Sequence, residues 1–253
     1  MPRRPRNHRP DLSGLLIIDK PAGVSSFAVC REVRRRTGGA KVGHAGALDP
    51  FATGVLVLAL GNATRAVPRL MAMDKRYTAT ADLSRFSTTD DPEGEITPVE
   101  AAPPPIAAVR AALNDLTGAI MQRPPIYSAV HVDGRRAYRL ARAGELADRP
   151  PARRVMVHTI EMVSYDWPAL ALDVRCGKGV YIRSLARDLG ERLGVGGMLT
   201  ALRRTAVGPF TLDRAVALES VHEDVSPIPI DAVTTPDQSA RSGGAGAAAP
   251  YAL

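Results

Sequence analysis

The stretch from Gly43 to Gly54, GHAGALDPFATG, holds the sequence's densest group of residues that could carry chemistry. Asp49 is its only acid and His44 its only base, so chemistry on this stretch would fall to these two side chains. Three glycines and a proline favour a sharply turning loop that closely approaches another group. A simpler alternative is that Asp49 only caps a backbone amide at a turn. One histidine and one carboxylate are too few ligands for a metal site.

The composition indicates the kind of partner rather than the fold. The 253 residues carry a formal net charge of +7, and the isoelectric point is about 9.8. Nucleic acid is therefore the first candidate partner and an anionic membrane surface the second. No apolar run is long enough to span a bilayer, and no apolar segment follows the basic N-terminus as in a signal peptide. We expect a cytoplasmic protein that does not enter the membrane.

Sequence motifs for cofactors are missing as well. Neither a Walker A pattern nor GxGxxG occurs, so a nucleotide cofactor has no obvious binding loop. Cys30 and Cys176 do not form a CxxC or any zinc spacing, and two lone cysteines are typical of reduced thiols in the cytoplasm. The sequence predicts neither a cofactor nor a metal.

Apolar periodicity predicts the elements that must position the Asp49 loop. Strands are expected over residues 15–18, 55–60, 76–83, 155–164 and 169–176, and helices over 25–36, 64–73, 106–116 and 180–193. The first helix is expected to bury Phe27, Cys30 and Val33 on one face. The composition of STTDDPEGE (87–95) predicts a turn. This mixture indicates an α+β or mixed α/β architecture.

Residues 123–154 are rich in arginine. They contain eight arginines against only three acids, Asp133, Glu145 and Asp148. Arginine pairs with phosphate and stacks on bases, so this segment is typical of a surface that binds structured RNA. The alternative is an ordinary solvated surface.

Five ordered blocks of the sequence resemble the TruB family of tRNA pseudouridine synthases. They are GLLIIDKPAGVSS, GHAGALDPFATGVL, DKRYTATADL, RPPIYSAVHVDGRRAYRLAR and GKGVYIRSLARDLGERLG, and together they extend over about residues 13–212. The second block usually reads GHTGTLDPLATGVL in the family. Ala45 and Ala47 thus stand in place of two threonines and Phe51 in place of a leucine, while His131 stands where the family often has lysine.

The resemblance implies a fold and a domain organisation. The implied fold is α+β, with a central mixed, mostly antiparallel sheet flanked by helices and a thumb-like RNA-binding insertion over about 123–154. The implied domains are a basic flexible arm (1–12), a catalytic domain (13–212) and an abbreviated C-terminal region with a flexible tail (213–253), without a full PUA domain. The family also suggests a monomer.

The implied activity is the conversion of uridine 55 in the T-loop of tRNA to pseudouridine. The N-glycosidic bond breaks, the uracil rotates, and a carbon–carbon bond forms to C5, without ATP, metal or redox change. Asp49 matches the family's catalytic aspartate, and attack at C1′ and proton abstraction at C2′ both remain open. Arg183 matches the arginine that pairs with this aspartate. Tyr77 matches the tyrosine that stacks on the flipped uracil and takes part in removing the C5 proton.

Four further residues are implied to bind the substrate. His44 matches a histidine that fills the space vacated by the flipped base, with a general-base role as the alternative. Lys20 matches a residue that supports the active-site loops, and its alternative is an exposed turn lysine. Tyr181 and Leu202 match pocket residues, with ordinary packing as the alternative for each.

The arginine-rich block resembles the family's RNA-binding segment, which orders on binding tRNA, and we expect the same here. The implied RNA-binding side chains are Arg123, Tyr127, His131, Arg135, Arg136, Arg139 and Arg142. Three rival functions stay open: modification of a different RNA uridine, an RNA chaperone that refolds tRNA without chemistry, and a basic membrane-surface protein.

Overall fold

The computed structural model describes residues 12–146 and 148–230. Residues 1–11 of the predicted arm and the predicted tail after residue 230 lie outside this part of the chain. The strands are β1 (Gly14–Lys20), β2 (Val42–His44), β3 (Thr53–Leu60), β4 (Lys75–Asp82), β5 (Arg85–Ser87), β6 (Ile96–Pro98), β7 (Gly118–Gln122), β8 (His131–Val132), β9 (Arg135–Arg136), β10 (Arg153–Asp166), β11 (Ala169–Cys176), β12 (Met198–Val207), β13 (Phe210–Thr211) and β14 (Val216–Ala217). The helices are α1 (Ser26–Arg36), α2 (Val67–Ala72), α3 (Ile106–Asp115), α4 (Ala137–Arg142) and α5 (Ile182–Leu193).

One mixed sheet forms the centre of the molecule. Its strand order is β14-β1-β3-β12-β4-β11-β10-β7, with β2 added on β3 and β13 on β12. The pairs β1/β14 and β3/β12 are parallel, and the other pairs in the sheet are antiparallel. The predicted central mixed, mostly antiparallel sheet is therefore confirmed.

Helices α3 and α5 cover one face of this sheet. Leu113 of α3 and Leu185 and Leu189 of α5 share a core with Leu172 of β11 and Ala79 of β4. Removing these side chains from water is the main force that holds the helices on the sheet. The N-terminus of α5 is thereby fixed beside the strands that carry Tyr77 and Leu202.

Helix α1 packs over the other end of the sheet, on β1 and β3. Its Val29, Cys30 and Val33 are buried with Leu56 and Leu58 of β3. The predicted burial of Phe27 on this face is wrong, because 72% of that side chain is exposed. At 3.6 residues per turn, Phe27 lies roughly 120° around the helix from Val33 and points away from the sheet.

Strand β12 is a central element that periodicity did not reveal. It lies between β3 and β4, although its sequence MLTALRRTAV shows no clean alternation of apolar and polar residues. Irregular register against β4 around Thr200 and Thr205 interrupts the period of two on which the sequence prediction depends.

The segment after residue 212 returns to the edge of the sheet. Strand β14 pairs with β1 in parallel, and Ile228 forms a bridge with Leu15. Within the described part of the C-terminal region, the chain therefore packs on the same sheet as the Asp49 loop.

The arginine-rich segment 123–154, called the insertion below, leaves the sheet after β7 and returns to it in β10. Its described residues form the short hairpin β8–β9 followed by α4. Among the residues that the structure describes, no helix is long and apolar enough to cross a membrane.

Candidate active site

Buried polar groups of β1 and α1 support the Asp49 loop (residues 43–54). The Lys20 ammonium is fully buried and donates to the carbonyl oxygens of Pro21, Val24 and Pro50 at 2.7, 2.8 and 3.1 Å. Burial lowers the pKa of Lys20 to about 8, although the nearby Asp49 carboxylate opposes this shift. The alternative of an exposed turn lysine is therefore wrong.

A serine fixes the residue just before Asp49. The Ser26 hydroxyl donates to the Leu48 carbonyl at 3.0 Å and accepts from the Leu48 amide at 2.8 Å. Both backbone groups of Leu48 are thus bonded to one buried side chain, which makes the loop conformation specific. The sequence analysis did not single out Ser26.

Arg183 pairs with Asp49 as the resemblance implied. Its Nη2 donates to Asp49 Oδ1 at 3.0 Å and to the Tyr127 carbonyl at 3.0 Å. Its Nη1 donates to Asp91 Oδ2 at 2.9 Å and to the Thr89 carbonyl at 2.7 Å. The Arg183 side chain is 3% exposed and Asp91 2%, whereas Asp49 is 34% exposed. Asp49 is therefore the accessible end of a buried chain of charges.

Two opposing influences act on the protonation of Asp49. Burial raises the pKa of the carboxyl, and the neighbouring Asp91 adds to this effect. The Arg183 and Lys20 cations lower the same pKa and so stabilise the carboxylate. Burial has the larger influence, so the pKa of Asp49 is raised overall. Because a nucleophile or base must be ionised, Arg183 and Lys20 favour the reactive carboxylate by limiting this rise.

The loop STTDDPEGE carries more than the turn that its composition predicts. Asp90 and Asp91 are both buried. Asp91 binds Arg183, and Asp90 binds Arg187 Nη1 at 2.8 Å. The sequence contains a signal for this contact, namely two adjacent acids in the turn and two arginines four residues apart on a helix. Because residues four apart share a helix face, the two arginines can meet the two acids.

A cavity of about 680 Å³ opens above Asp49. Four residues predicted for the site, besides Asp49, line it: Tyr77, Tyr181, Arg183 and Leu202. Tyr77 lies on β4 and is largely buried. Burial raises the pKa of the Tyr77 hydroxyl, while the nearby Arg204 guanidinium lowers it. The phenol thus keeps its proton at neutral pH.

Hydrogen bonds to its backbone fix the position of Tyr181. The buried Gln122 side chain accepts from the Tyr181 amide at 2.8 Å and donates to its carbonyl at 3.1 Å. The Arg153 guanidinium lies over the Tyr181 ring, 5.4 Å from the ring centroid. Gln122 therefore connects the residue just before the insertion with the N-cap residue of α5, and sequence reasoning did not identify it.

Arg204 is a further residue that the sequence analysis missed. It is 1% exposed, and its guanidinium donates to the carbonyls of Val55, Gly46 and Ala47 at 2.7, 3.0 and 3.4 Å. It therefore links β3 to the Asp49 loop. At Gly54, which has a φ of 101°, an added Cβ would lie 2.2 Å from the Arg204 carbonyl oxygen, so only glycine fits there.

His44 and Lys20 do not line the cavity. His44 ends β2, and its buried Nδ1 has no hydrogen-bond partner. Burial lowers the pKa of His44, and the Arg204 and Arg136 cations contribute to the same effect. The ring is therefore neutral at physiological pH.

All of the residues predicted to bind RNA are exposed in the structure: Arg123, Tyr127, His131, Arg135, Arg136, Arg139 and Arg142. Arg139 and Arg142 each lie 5.9 Å from the centroid of the Tyr138 ring, and Arg135 pairs with Glu145. The insertion's other arginines include two with internal partners. Arg149 binds the buried Asp90, and Arg153 donates to the Gly179 carbonyl.

Comparison with protein-family models settles which family this site belongs to. Residues 34–182 match the model described as "TruB family pseudouridylate synthase (N terminal domain)". The chain belongs to the TruB family. Residues 183–228 match the model of the "tRNA pseudouridylate synthase B C-terminal domain". In the structure, the latter range contains β12 and all but the first residue of α5, and residues of both line the cavity together with residues of β4.

Curated TruB proteins are similar over most of this chain. The "tRNA pseudouridine synthase B" of Corynebacterium diphtheriae is 49% identical, over 84% of this chain and 73% of that protein. The protein of the same name from Thermobifida fusca is 48% identical, over 86% and 77%. That from Bordetella pertussis is 46% identical, over 83% and 87%.

Solved structures show the same fold. A "Cbf5-Nop10-Gar1 Complex" contains a chain that matches with a TM-score of 0.64 and 30% identity, over 81% of this chain and 52% of that one. A structure of an "H/ACA RNP bound to a substrate RNA containing 2'-deoxyuridine" matches with a TM-score of 0.61 and 26% identity, over 86% and 58%. The chain thus spans between half and three fifths of these solved proteins. The predicted pseudouridine synthase fold is confirmed.

Proposed function

We propose that this enzyme converts uridine 55 in the T-loop of tRNA to pseudouridine. Relatives that are 46–49% identical to it over the aligned residues are named tRNA pseudouridine synthase B. The observation that carries the proposal is the Asp49 carboxylate, which lines a cavity of about 680 Å³ and is bonded to the buried Arg183.

The target base must leave its stack to reach Asp49, which costs a few kcal/mol. The cavity lining supports this step. The Tyr77 ring offers an aromatic surface on which the flipped uracil stacks, and Leu202 provides an apolar wall. We assign His44 to the space that the base vacates, since its neutral ring packs beside an RNA loop without adding charge.

Asp49 acts on the ribose in either of two ways. In the first, the carboxylate attacks C1′, and the N1–C1′ electron pair leaves with the uracil, forming a covalent ester. In the second, it removes the C2′ proton, and the uracil leaves as a glycal forms. In both, the detached uracil rotates before C5 bonds to C1′. In the first route, C5 displaces the Asp49 carboxylate and the ester bond breaks. In the second, the Asp49 carboxylic acid returns its proton to C2′ as C5 adds to the glycal. In both, the C5 proton is then lost and N1 gains one. Atoms and electrons balance without an added reagent.

The two arms of Arg183 give it a defined task. Nη1 is held by Asp91, so Nη2 remains directed at Asp49 while substrate enters. The guanidinium stabilises the carboxylate before the reaction and does not have to reorganise during it. Because the Tyr77 phenol keeps its proton at neutral pH, Tyr77 needs a proton acceptor before it can take part in removing the C5 proton.

The insertion provides the RNA contacts. Its exposed arginines, with Tyr127 and Tyr138 among them, suit phosphate pairing and base stacking. We propose that Arg123, Arg135, Arg136, Arg139 and Arg142 bind the T-arm and that the insertion orders on binding. The cytoplasmic location, the monomeric state and the independence from metals and cofactors remain predictions.

A tritium-release assay tests the function. Wild-type enzyme is incubated with a tRNA transcript that carries tritium at C5 of its uridines, and a matched transcript with cytidine at position 55 is the control. We expect release of one tritium per tRNA from the first transcript and none from the second. Equal release from both would place the target at another uridine. Binding without release would favour the chaperone alternative.

A further inference from the structure

Asp90 joins two arginines that come from different parts of the chain. Its Oδ2 accepts from Arg187 Nη1 of α5 at 2.8 Å, and its Oδ1 accepts from Arg149 Nη2 of the insertion at 3.0 Å. The Asp90 and Arg187 side chains are only 2% and 3% exposed. No role assigned above uses this buried pair, and burying two charges is costly unless the geometry serves a purpose.

Arg187 also holds the start of the insertion. Arg187 Nη2 donates to the Arg123 carbonyl at 2.9 Å, and the Ser184 hydroxyl donates to the same oxygen at 2.9 Å. Arg123 and Arg149 stand near the beginning and the end of the insertion. The first end is therefore bonded directly to one turn of α5, and the second reaches the same turn through Asp90.

The pair also neighbours the catalytic charges in sequence, both in the acidic loop STTDDPEGE (87–95) and on α5. Asp90 precedes Asp91, and Arg187 lies one helical turn after Arg183. The Asp90 backbone has a φ of 61°, in the left-handed region that aspartate tolerates better than most residues. Its carbonyl accepts from the Leu199 amide at 3.1 Å. Loop and helix are thus joined by two parallel ion pairs, Asp90–Arg187 and Asp91–Arg183.

We propose that Asp90 and Arg187 form a positioning pair that aligns the acidic loop with α5, so that Asp91 holds Arg183 on Asp49. The pair also fixes both ends of the RNA-binding insertion to the turn of α5 that follows Arg183. It touches none of the reacting atoms and acts through Arg183. This inference rests on the proposed function and adds a physical link between the RNA-binding surface and the catalytic carboxylate.

A purely stabilising ion pair must be distinguished from a positioning pair. Asp90→Asn leaves the buried Arg187 with Asp188, at 2.6 Å, as its remaining close acidic partner, and the loss of Asp90 destabilises the fold whatever the role of the pair. The double variant Asp90→Asn/Arg187→Gln removes both charges and keeps groups that can hydrogen-bond. Asp188 and Arg149 lose their partners in this variant, but they are 20% and 29% exposed and can be solvated. The double variant should therefore regain most of the melting temperature that the single variant loses.

The matched control is Asp82→Asn. Asp82 is another largely buried aspartate, bonded to Arg85 at 2.7 Å and to the Ser84 amide at 2.9 Å, and it does not line the cavity. This variant loses an ion pair away from Asp49, although the partner Arg85 is 44% exposed and the pair is less buried than Asp90–Arg187. We expect its single-turnover rate, at saturating enzyme, and its pH profile to match those of the wild type.

The decisive readouts are the single-turnover rate of pseudouridine formation and the pH of its acid limb. The charged groups that face Asp49 are Arg183 from α5, Lys20 from β1, and Asp91 and Glu93 from the acidic loop. If Arg183 moves away from Asp49, the pKa of Asp49 rises and the acid limb shifts to higher pH. Misplacement by about 1 Å costs up to about 100-fold in rate.

We expect both Asp90 variants to react roughly 10- to 100-fold more slowly than wild type, with the acid limb at higher pH, even where the melting temperature has recovered. An acid limb at the wild-type pH in both variants, or a double variant that recovers rate together with stability, would overturn the positioning role. Failure of the wild type to form pseudouridine in this assay would overturn the proposed function instead.

Discussion

The ion pairs beside the cavity and those on the insertion are both formed largely by arginines and carboxylates, but they differ in burial and therefore in their response to salt. Arg183 and Asp91 are almost fully buried, whereas the paired Arg135 and Glu145 side chains are each about half exposed. A buried pair is barely screened by salt, and an exposed pair is screened strongly. We therefore expect the buried charges of Asp49, Arg183 and Asp91 to determine the chemistry and the exposed charges of the insertion to tune the affinity for RNA.

The largest effect is expected from replacing Arg183. Arg183→Met removes a fixed donor from Asp49, so we predict a fall in single-turnover rate of about 10²- to 10³-fold. The pKa of Asp49 should rise, because its largest stabilising cation is lost, and the acid limb of the rate profile should move to higher pH. Asp91 is left without its partner, which should cost about 3–5 kcal/mol of stability.

Arg183→Lys serves as the control for charge alone, because a lysine cannot bridge Asp49 and Asp91 with two arms. We expect it to be more stable than Arg183→Met but still slow. An Arg183→Met variant that reacts within threefold of wild type, with its acid limb at the wild-type pH, would refute the role of the buried Asp91–Arg183 pair at Asp49.

A smaller effect is expected at Lys20. Because the pKa of this ammonium is about 8, its charge is present below pH 8 and is lost as the pH rises through that value. The rate should therefore decline above pH 8, as Asp49 loses a neighbouring cation and Pro50 a charged donor. Lys20→Met should be slower at all pH values, about tenfold if roughly 1.4 kcal/mol of support is lost. This variant should also lack the alkaline decline, and an identical decline would assign it to another group.

On the insertion, Arg139→Ala and Arg142→Ala should weaken tRNA binding without changing the single-turnover rate at saturating enzyme. Each phosphate contact that is lost should reduce the slope of log K against log salt by about 0.7 to 0.9. Filter binding over a salt series measures this slope. A change in the saturating rate with an unchanged slope would mean that these arginines support the site rather than bind RNA.

The smallest effect is expected at Glu145. Glu145→Gln frees the exposed Arg135, so affinity for tRNA should rise slightly at low salt and be unchanged at high salt. The melting temperature should not change measurably, since exposed ion pairs contribute little to stability. A clear loss of stability would show that the insertion depends on this pair.

Much of the site can be predicted from the sequence because its residues lie in short contiguous motifs. Asp49, Tyr77 and Arg183 were each named from a motif, and the structure places them around one cavity. Strong apolar periodicity likewise located β3 and α5 to within a few residues. The predicted roles of these residues are still to be tested by experiment.

What could not be read depends on contacts between distant segments. Asp91 and Arg183 are 92 residues apart, and Arg204 reaches back 149 residues to Val55. Neither pairing leaves a local signal in one sequence, and the irregular register of β12 conceals the strand that delivers Arg204. The burial of Asp90 was hidden for another reason, because STTDDPEGE has the composition of an exposed turn.

The most direct test of the account compares wild type with Asp49→Asn on C5-tritiated tRNA. The substitution keeps the size of the side chain and the contact with Arg183 but removes the carboxylate. We predict that release is abolished, that tRNA affinity stays within about threefold of wild type, and that the fold is retained. Release at a rate near that of the wild type would contradict the central claim that the Asp49 carboxylate performs the reaction.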